Sequence, residues 1–134
     1  MGQIFEINIK TNRRFELVDI TSDINNVIKE AATTDGIAFI FIPHTTAGII
    51  INEHADPSVK TDILNQLSKL VPDNGHYQHL EGNADAHIKS ALVGNSISVI
   101  IEDGRLVLGT WQGIFFAEFD GPRRRKALIK IIKG

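Results

Sequence analysis

Isoleucine dominates the apolar content of this chain and biases its fold before any motif is considered. The sequence holds 21 Ile and 7 Val against 9 Leu. Branching at Cβ restricts χ1 in a helix but packs well on a pleated surface, so the balance favours sheet. With 134 residues, 43% of them apolar, the chain suits one domain spanning 1–134. The absence of cysteine excludes a disulfide framework, thiolate metal sites and a cysteine nucleophile. A net charge of −2 argues against a general nucleic-acid binder. No apolar run approaches the roughly 18 residues that a membrane span needs. The opening MGQIFEINIK lacks the basic-then-apolar pattern of a signal peptide. We expect a cytoplasmic protein with neither nucleic-acid nor membrane partners.

Residues 3–10 and 13–20 read as strands around the polar turn Thr11-Asn12. A helix follows, capped by Thr21 or Ser22, with Ile24, Val27, Ile28, Ala31 and Ala32 on one face. Asp35-Gly36 breaks it. The run 37–42 has no polar alternation, as in a strand covered on both faces, and Pro43 ends it. Ile49-Ile50-Ile51 reads as a second buried strand. Asp56-Pro57 starts a helix with an acidic cap and proline at the first helical position. Val59, Ile63, Leu64, Leu67 and Leu70 form its apolar stripe, and it ends near Pro72. A short helix is expected over 86–93, stopped by Gly94. Strands at 96–102, 105–108, 111–120 and 124–132 follow, the first pair joined at Asp103-Gly104. Strands that are not separated one by one by helices disfavour a doubly wound parallel sheet. The fold class is therefore α+β, mainly β: an antiparallel β-sandwich with two or three helices on its outside.

Polar residues concentrate in three segments at strand ends, where a rigid scaffold presents working groups. They are His44-Thr45-Thr46-Ala47-Gly48, Asn52-Glu53-His54-Ala55-Asp56 and the stretch from His79 to His87. Three imidazoles around one divalent ion with an open fourth position make a catalytic zinc arrangement. His44, His79 and His87 can supply such a set, with Glu53, Glu81 or Asp85 as orienting group or general base. The spacing contains no HExxH helix, and each histidine is equally a hydrogen-bonded loop residue.

The remaining polar features have two readings each. The hydroxyls of Thr45, Thr46 and Ser58 suit phosphate contact as well as capping and turns, the commoner use. Trp111, between Gly109 and Gly113, lines a pocket or anchors the sheet, with burial as an anchor expected. Arg123-Arg124-Arg125-Lys126 is the one basic run. It suits a phosphate or an RNA backbone, but alternation would split these residues between two faces, so a solvated edge that discourages strand pairing is expected there.

Several blocks resemble the YjbQ-type family, labelled secondary thiamine-phosphate synthase. They are His44-Thr45-Thr46-Ala47, Asn52-Glu53 with Asp56-Pro57, Glu81-Gly82 with Ala86-His87-Ile88-Lys89, Asp103-Gly104-Arg105-Leu106, and Leu108-Gly109-Thr110-Trp111-Gln112-Gly113-Ile114. Their order covers nearly the whole chain. The resemblance implies a jelly-roll-like sandwich, a homotrimer, and a metal held by His44, His79 and His87, with Zn²⁺ favoured by imidazoles and Mg²⁺ by a diphosphate. It also implies a transfer joining hydroxymethylpyrimidine diphosphate to thiazole phosphate. In that reading Glu53, Glu81 and Asp85 are the candidate catalytic carboxylates. Thr45, Thr46, Asn52, Lys89, Trp111 and Arg123 would contact the phosphorylated substrate, Lys89 or Arg123 as a clamp and Trp111 by stacking. Two other functions fit the same residues: hydrolysis by metal-bound water with Glu53 or Glu81 shuttling the proton, and a non-catalytic trimeric module that binds a ligand or metal.

Overall fold

A computed structural model describes residues 3–134, leaving Met1 and Gly2 outside the described residues. The chain forms β1 (Ile4–Lys10), β2 (Glu16–Asp19), α1 (Thr21–Glu30), β3 (Gly36–Phe41) and β4 (Ala47–Glu53). Next come α2 (Pro57–Leu70), α3 (Ala84–Val93), β5 (Ser96–Glu102), β6 (Arg105–Leu106), β7 (Gln112–Glu118) and β8 (Arg124–Lys133). Every strand pairing is antiparallel. A five-stranded sheet runs β1-β8-β3-β5-β6 and a three-stranded sheet β2-β7-β4. β1 and β2 are not a hairpin, as their adjacency suggested. The chain crosses between sheets at residues 11–15, so β1 pairs with β8 and β2 with β7.

The sheets bury their inner faces against each other. Ile7, Ile9, Ala38, Ile40, Val99, Ala127 and Ile129 of the large sheet meet Ala47, Ile49, Ile114 and Phe116 of the small one. Ile24, Val27 and Ile28 of α1 join this same cluster, so α1 closes the sandwich instead of lying outside it. The apolar spacing of α1 predicts those three contacts, but not its start. Ile20 precedes the helix, and Asp19 Oδ1 accepts from both the N–H and the hydroxyl of Thr21. α1 also ends at Glu30, before Ala31 and Ala32. α2 begins as read: Asp56 accepts from the Ser58 N–H, and Pro57 is the first helical residue.

A third layer covers the outer face of the small sheet. Leu17, Phe115, Ala117 and Phe119 pack there under Ala86 and Val93 of α3 and Ile63, Leu64 and Leu67 of α2. β7 is consequently buried on both faces from Gly113 to Glu118. β3 is not, although its unbroken apolar run suggested it. Ala38 and Ile40 face the core while Ile37, Phe39 and Phe41 face outward. With Ile4, Ile100 and Ile132 they make a bare apolar band across the large sheet, contiguous through the Ile37↔Ile132 and Ile37↔Ile100 pairs.

Two further expectations are corrected. Trp111 is 62% exposed and anchors no core. The basic run is no sheet edge, because β8 lies between β1 and β3 and buries Arg125.

α3 is fastened to β4 by polar ties at the close approach of two backbones. The Ser90 hydroxyl donates to the Ala47 carbonyl at 2.6 Å, and the Ile49 N–H donates to the Gly94 carbonyl at 3.1 Å. A Cβ on Gly48 would stand 2.5 Å from that Gly94 oxygen. Gly48→Ala is therefore expected to lower stability by about 1–3 kcal/mol through overpacking, read from the midpoint of chemical unfolding.

Candidate functional site

The local chemistry of α3 determines which of its residues can meet a ligand. Asp85 and Lys89 are one turn apart and share the inward face, paired at 2.8 Å with both side chains almost fully sealed from solvent. Arg14 donates to Asp85 and to Asp73, each at 3.2 Å, and the Lys89 ammonium lies 4.1 Å from the centre of the Phe15 ring. The pair joins α3 to the β1–β2 crossing. Neither lines the depressions described below, and with both side chains sealed neither is open to a ligand as a catalytic acid or a phosphate clamp would be. His87, two residues from each, sits roughly 200° round the helix and faces outward.

Two surface depressions meet at His87. One, of about 450 Å³, is lined by His44, Thr45, His87, Ser90 and Asn95 with Ala91 and Gly94. The other, of about 500 Å³, is lined by His76, Tyr77, Gln78, His79, Ala84, His87 and Ile88. His79 and His87 stand edge to face with ring centres 5.1 Å apart. His79 Nε2 is 2.9 Å from Asn83 Oδ1; the Asn83 amide donates to Asp120 at 2.8 Å, and Arg123 donates to the same carboxylate oxygen at 3.0 Å. With Nε2–H donating to Asn83, the Nδ1 lone pair of His79 is left free. Glu81 is exposed on the rim, 4.0 Å from His79 Nε2.

His44 is held differently. The Lys126 N–H donates to its Nε2 at 3.1 Å, and its ring stands edge-on to Phe116. Burial, then the nearby Arg125 charge, hold its pKa below the ordinary 6.5. Beneath it lies a sealed ion pair that the sequence motifs did not single out. Arg125 Nε donates to Glu118 Oε1 at 2.9 Å and its terminal nitrogen to Thr46 Oγ1 at 2.8 Å, while the Thr11 hydroxyl donates to Glu118 at 2.8 Å. Burial would raise the Glu118 pKa, but the bonds from Arg125, Asp120 N–H and Thr11 hold it below the ordinary 4.5. The legible sign was a glutamate amid the aromatics of residues 114–119, since a charge on a doubly covered strand must find a partner. Asn83 and Asp120, which steady His79, left no comparable sign. Thr46, expected at a substrate, is instead occupied by Arg125.

The other candidates lie elsewhere. Asn52 and Glu53 are at the far end of β4, roughly 20 Å along the strand from Ala47. Their side chains serve local turns, Asn52 Oδ1 accepting from the Glu53 N–H and Glu53 from the Ala55 N–H. Trp111 is beside them, its carbonyl accepting from the His54 N–H. The structure thus brings together His44, Thr45, His79 and His87, with Arg123 linked through Asp120, and separates Asn52, Glu53 and Trp111 from them.

The three-imidazole set fits a metal poorly. His44 has its Nε2 lone pair committed to a backbone N–H. Among the described residues no group of three or more His, Asp or Glu side chains is placed to hold a cation.

Comparison with known proteins gives a consistent picture. A family model described as UPF0047 protein YjbQ-like matches residues 5–134. A UPF0047 protein of Methanocaldococcus jannaschii is 65% identical over 129 residues, 96% of this chain and 94% of that protein. The UPF0047 protein YugU of Bacillus subtilis is 51% identical over 94% of this chain and 96% of its own length. Among solved structures, a YjbQ/UPF0047 protein of Clostridium acetobutylicum superposes with a TM-score of 0.93 at 53% identity, covering 96% of this chain and 99% of that one. A YbjQ-like protein of Sulfolobus solfataricus gives 0.95 at 34% identity, covering 100% of this chain and 99% of the other. Among the described residues no helix is long and apolar enough to cross a membrane.

Removing one member of the sealed ion pair should be severe. Glu118→Ala leaves Arg125 charged and unpaired, and a loss of about 3–5 kcal/mol in unfolding free energy is expected. Because folding lowers the Glu118 pKa, its contribution is complete above pH 4.5 and is lost as pH falls through the folded value. Acid unfolding of the unaltered protein followed by circular dichroism should therefore steepen below that pH.

Proposed function

The chain belongs to the UPF0047 family of YjbQ-like proteins, and we propose that it is an enzyme acting on a small phosphorylated molecule at the two depressions either side of His87. One observation carries this reading: four histidines, Thr45, Tyr77, Gln78 and Asn95 line the depressions, and no carboxylate does. A wall of hydrogen-bond donors without Asp or Glu suits an anion. Imidazole also exchanges its proton near neutral pH.

The residues divide the work by what binds them. Asn83, steadied by Asp120, fixes the His79 tautomer and leaves the Nδ1 lone pair to accept a hydrogen bond from a substrate. His87, in edge-to-face contact with His79, is placed to donate a proton to a leaving oxygen. No step of this reading passes through a cation. The condensation implied by the family resemblance belongs to this class. There the thiazole nitrogen bonds to the pyrimidine methylene carbon as the carbon–oxygen bond to pyrophosphate breaks, yielding thiamine phosphate. Two separate donor-lined depressions match two phosphorylated reactants.

The bare band on the large sheet supports the assembly part of the proposal. An apolar surface that crosses four strands is costly to leave in water. A second copy seated on it would cover the outward side of β3, and closure as a trimer would satisfy every copy.

Two outcomes are expected. His87→Ala lowers release of pyrophosphate from the paired substrates at least a hundredfold, measured by a coupled phosphate assay, with unfolding unchanged. No turnover by the unaltered protein, and no phosphate-ester binding by calorimetry, would leave only a structural role. Sedimentation equilibrium should give about three times the chain mass, and Phe39→Glu should shift it toward the monomer. A monomer mass for the unaltered protein rejects the assembly.

A further inference from the structure

We propose that His44 is a neutral Nδ1–H donor to a phosphoryl oxygen, held in that tautomer by the backbone of β8, and not a metal ligand. The inference rests on the reading above that the ligand is phosphorylated, and deepens it by assigning one subsite.

The argument begins with the ladder between β3 and β8. Its last pair is Phe41↔Leu128, after which the chain turns away at Pro43. Continued by two residues, the register would set Pro43 opposite Lys126. No β3 carbonyl reaches the Lys126 N–H, and the side chain of the next residue, His44, accepts that bond through Nε2. The ring thus stands in for a strand that has ended, and releasing it would leave a backbone donor unmatched.

A neutral imidazole has one N–H and one lone pair. With the lone pair given to Lys126, the proton must be on Nδ1, and neither nitrogen can ligate a cation. Nδ1–H is then the one polar group of the ring left to meet a ligand, and the ring lines the depression of about 450 Å³ beside Thr45 and Asn95. Ser90, in the same wall, has already given its hydroxyl proton to the Ala47 carbonyl.

The charged groups facing the ring are Arg125 and Lys126 of β8 and Glu118 of β7. Burial, then the cationic Arg125, outweigh the influences that favour protonation, the Lys126 backbone and Glu118, and the net lowering of the pKa agrees with the neutral ring that accepting the Lys126 N–H requires. Arg125 and Glu118 are therefore positioning residues. Their mutual bonds, and the bonds from Arg125 to Thr46, hold the backbone two residues beyond His44.

Long-range proton–nitrogen correlation on protein labelled with ¹⁵N-histidine decides the assignment without any variant. His44 should show a protonated Nδ1 and an unprotonated Nε2 at neutral pH, and added inorganic phosphate should shift its Nδ1 resonance. His44→Gln should weaken phosphate binding about tenfold, and Zn²⁺ titration of that variant should match the unaltered protein. A proton on Nε2, a phosphate titration that leaves His44 unmoved, or Zn²⁺ uptake that falls in His44→Gln would each overturn the proposal. If His44 fails while His87→Ala still abolishes turnover, the subsite assignment falls and the functional reading stands. If His44 behaves as expected but the protein turns nothing over, the donor site stands and the catalytic reading falls.

Discussion

The two sheets are cross-linked at one end by a charge pair sealed from water. Glu118 leaves the small sheet on β7, Arg125 enters the large sheet on β8, and the two stand seven positions apart in the chain. Thr11 from the β1–β2 crossing and Thr46 from the start of β4 satisfy the remaining valences. Burying two charges costs several kcal/mol each before their attraction is counted, so such a pair persists only where its hydrogen bonds are complete. Among the described residues no buried side-chain polar atom lacks a partner. The network ties the start of β4 to β8 through Thr46 and so helps to hold the loop carrying His44.

A second buried pair does comparable work for the helical layer. Asp85 and Lys89 spend their charges on each other, on Arg14 and on the face of Phe15, which fixes the rotation of α3 about its axis. Rotation matters because His87 is on the opposite side of the same helix. Ser90 and Gly94 set the distance of the helix from β4, and Gly48 makes that distance achievable. Shielded from bulk water, these ties are screened little by salt. α2 is held more loosely, as none of its residues is fully buried.

Much of the fold was legible because hydrophobic period and punctuation agree with the final packing. The Asp56-Pro57 start of α2, the Asp103-Gly104 reversal between β5 and β6, and the isoleucines of β4 follow from local chemistry. Asp103 and Gly104 both take positive φ, as such a reversal demands. Partner choice was not legible. Nothing local tells β1 that it pairs with β8 rather than with β2. The run 37–42 misled because identical apolar residues serve the core and the outer band. His44, His79 and His87, grouped in the sequence as one metal set, all line the two depressions. How each ring is held depends on residues distant in sequence: Lys126 for His44, and for His79 the Asp120 that holds its near neighbour Asn83. Asp85 and Lys89 carry ligand-like chemistry, yet their one-turn spacing suits mutual neutralisation equally well, and packing chose the latter.

His87 is the wall that the two depressions share. A turn about its first side-chain torsion would therefore change the outline of both at once. The shapes of the two depressions are thus coupled through the rotamer of one ring. A smaller residue at this position would enlarge both depressions with no alteration of the sheets beneath.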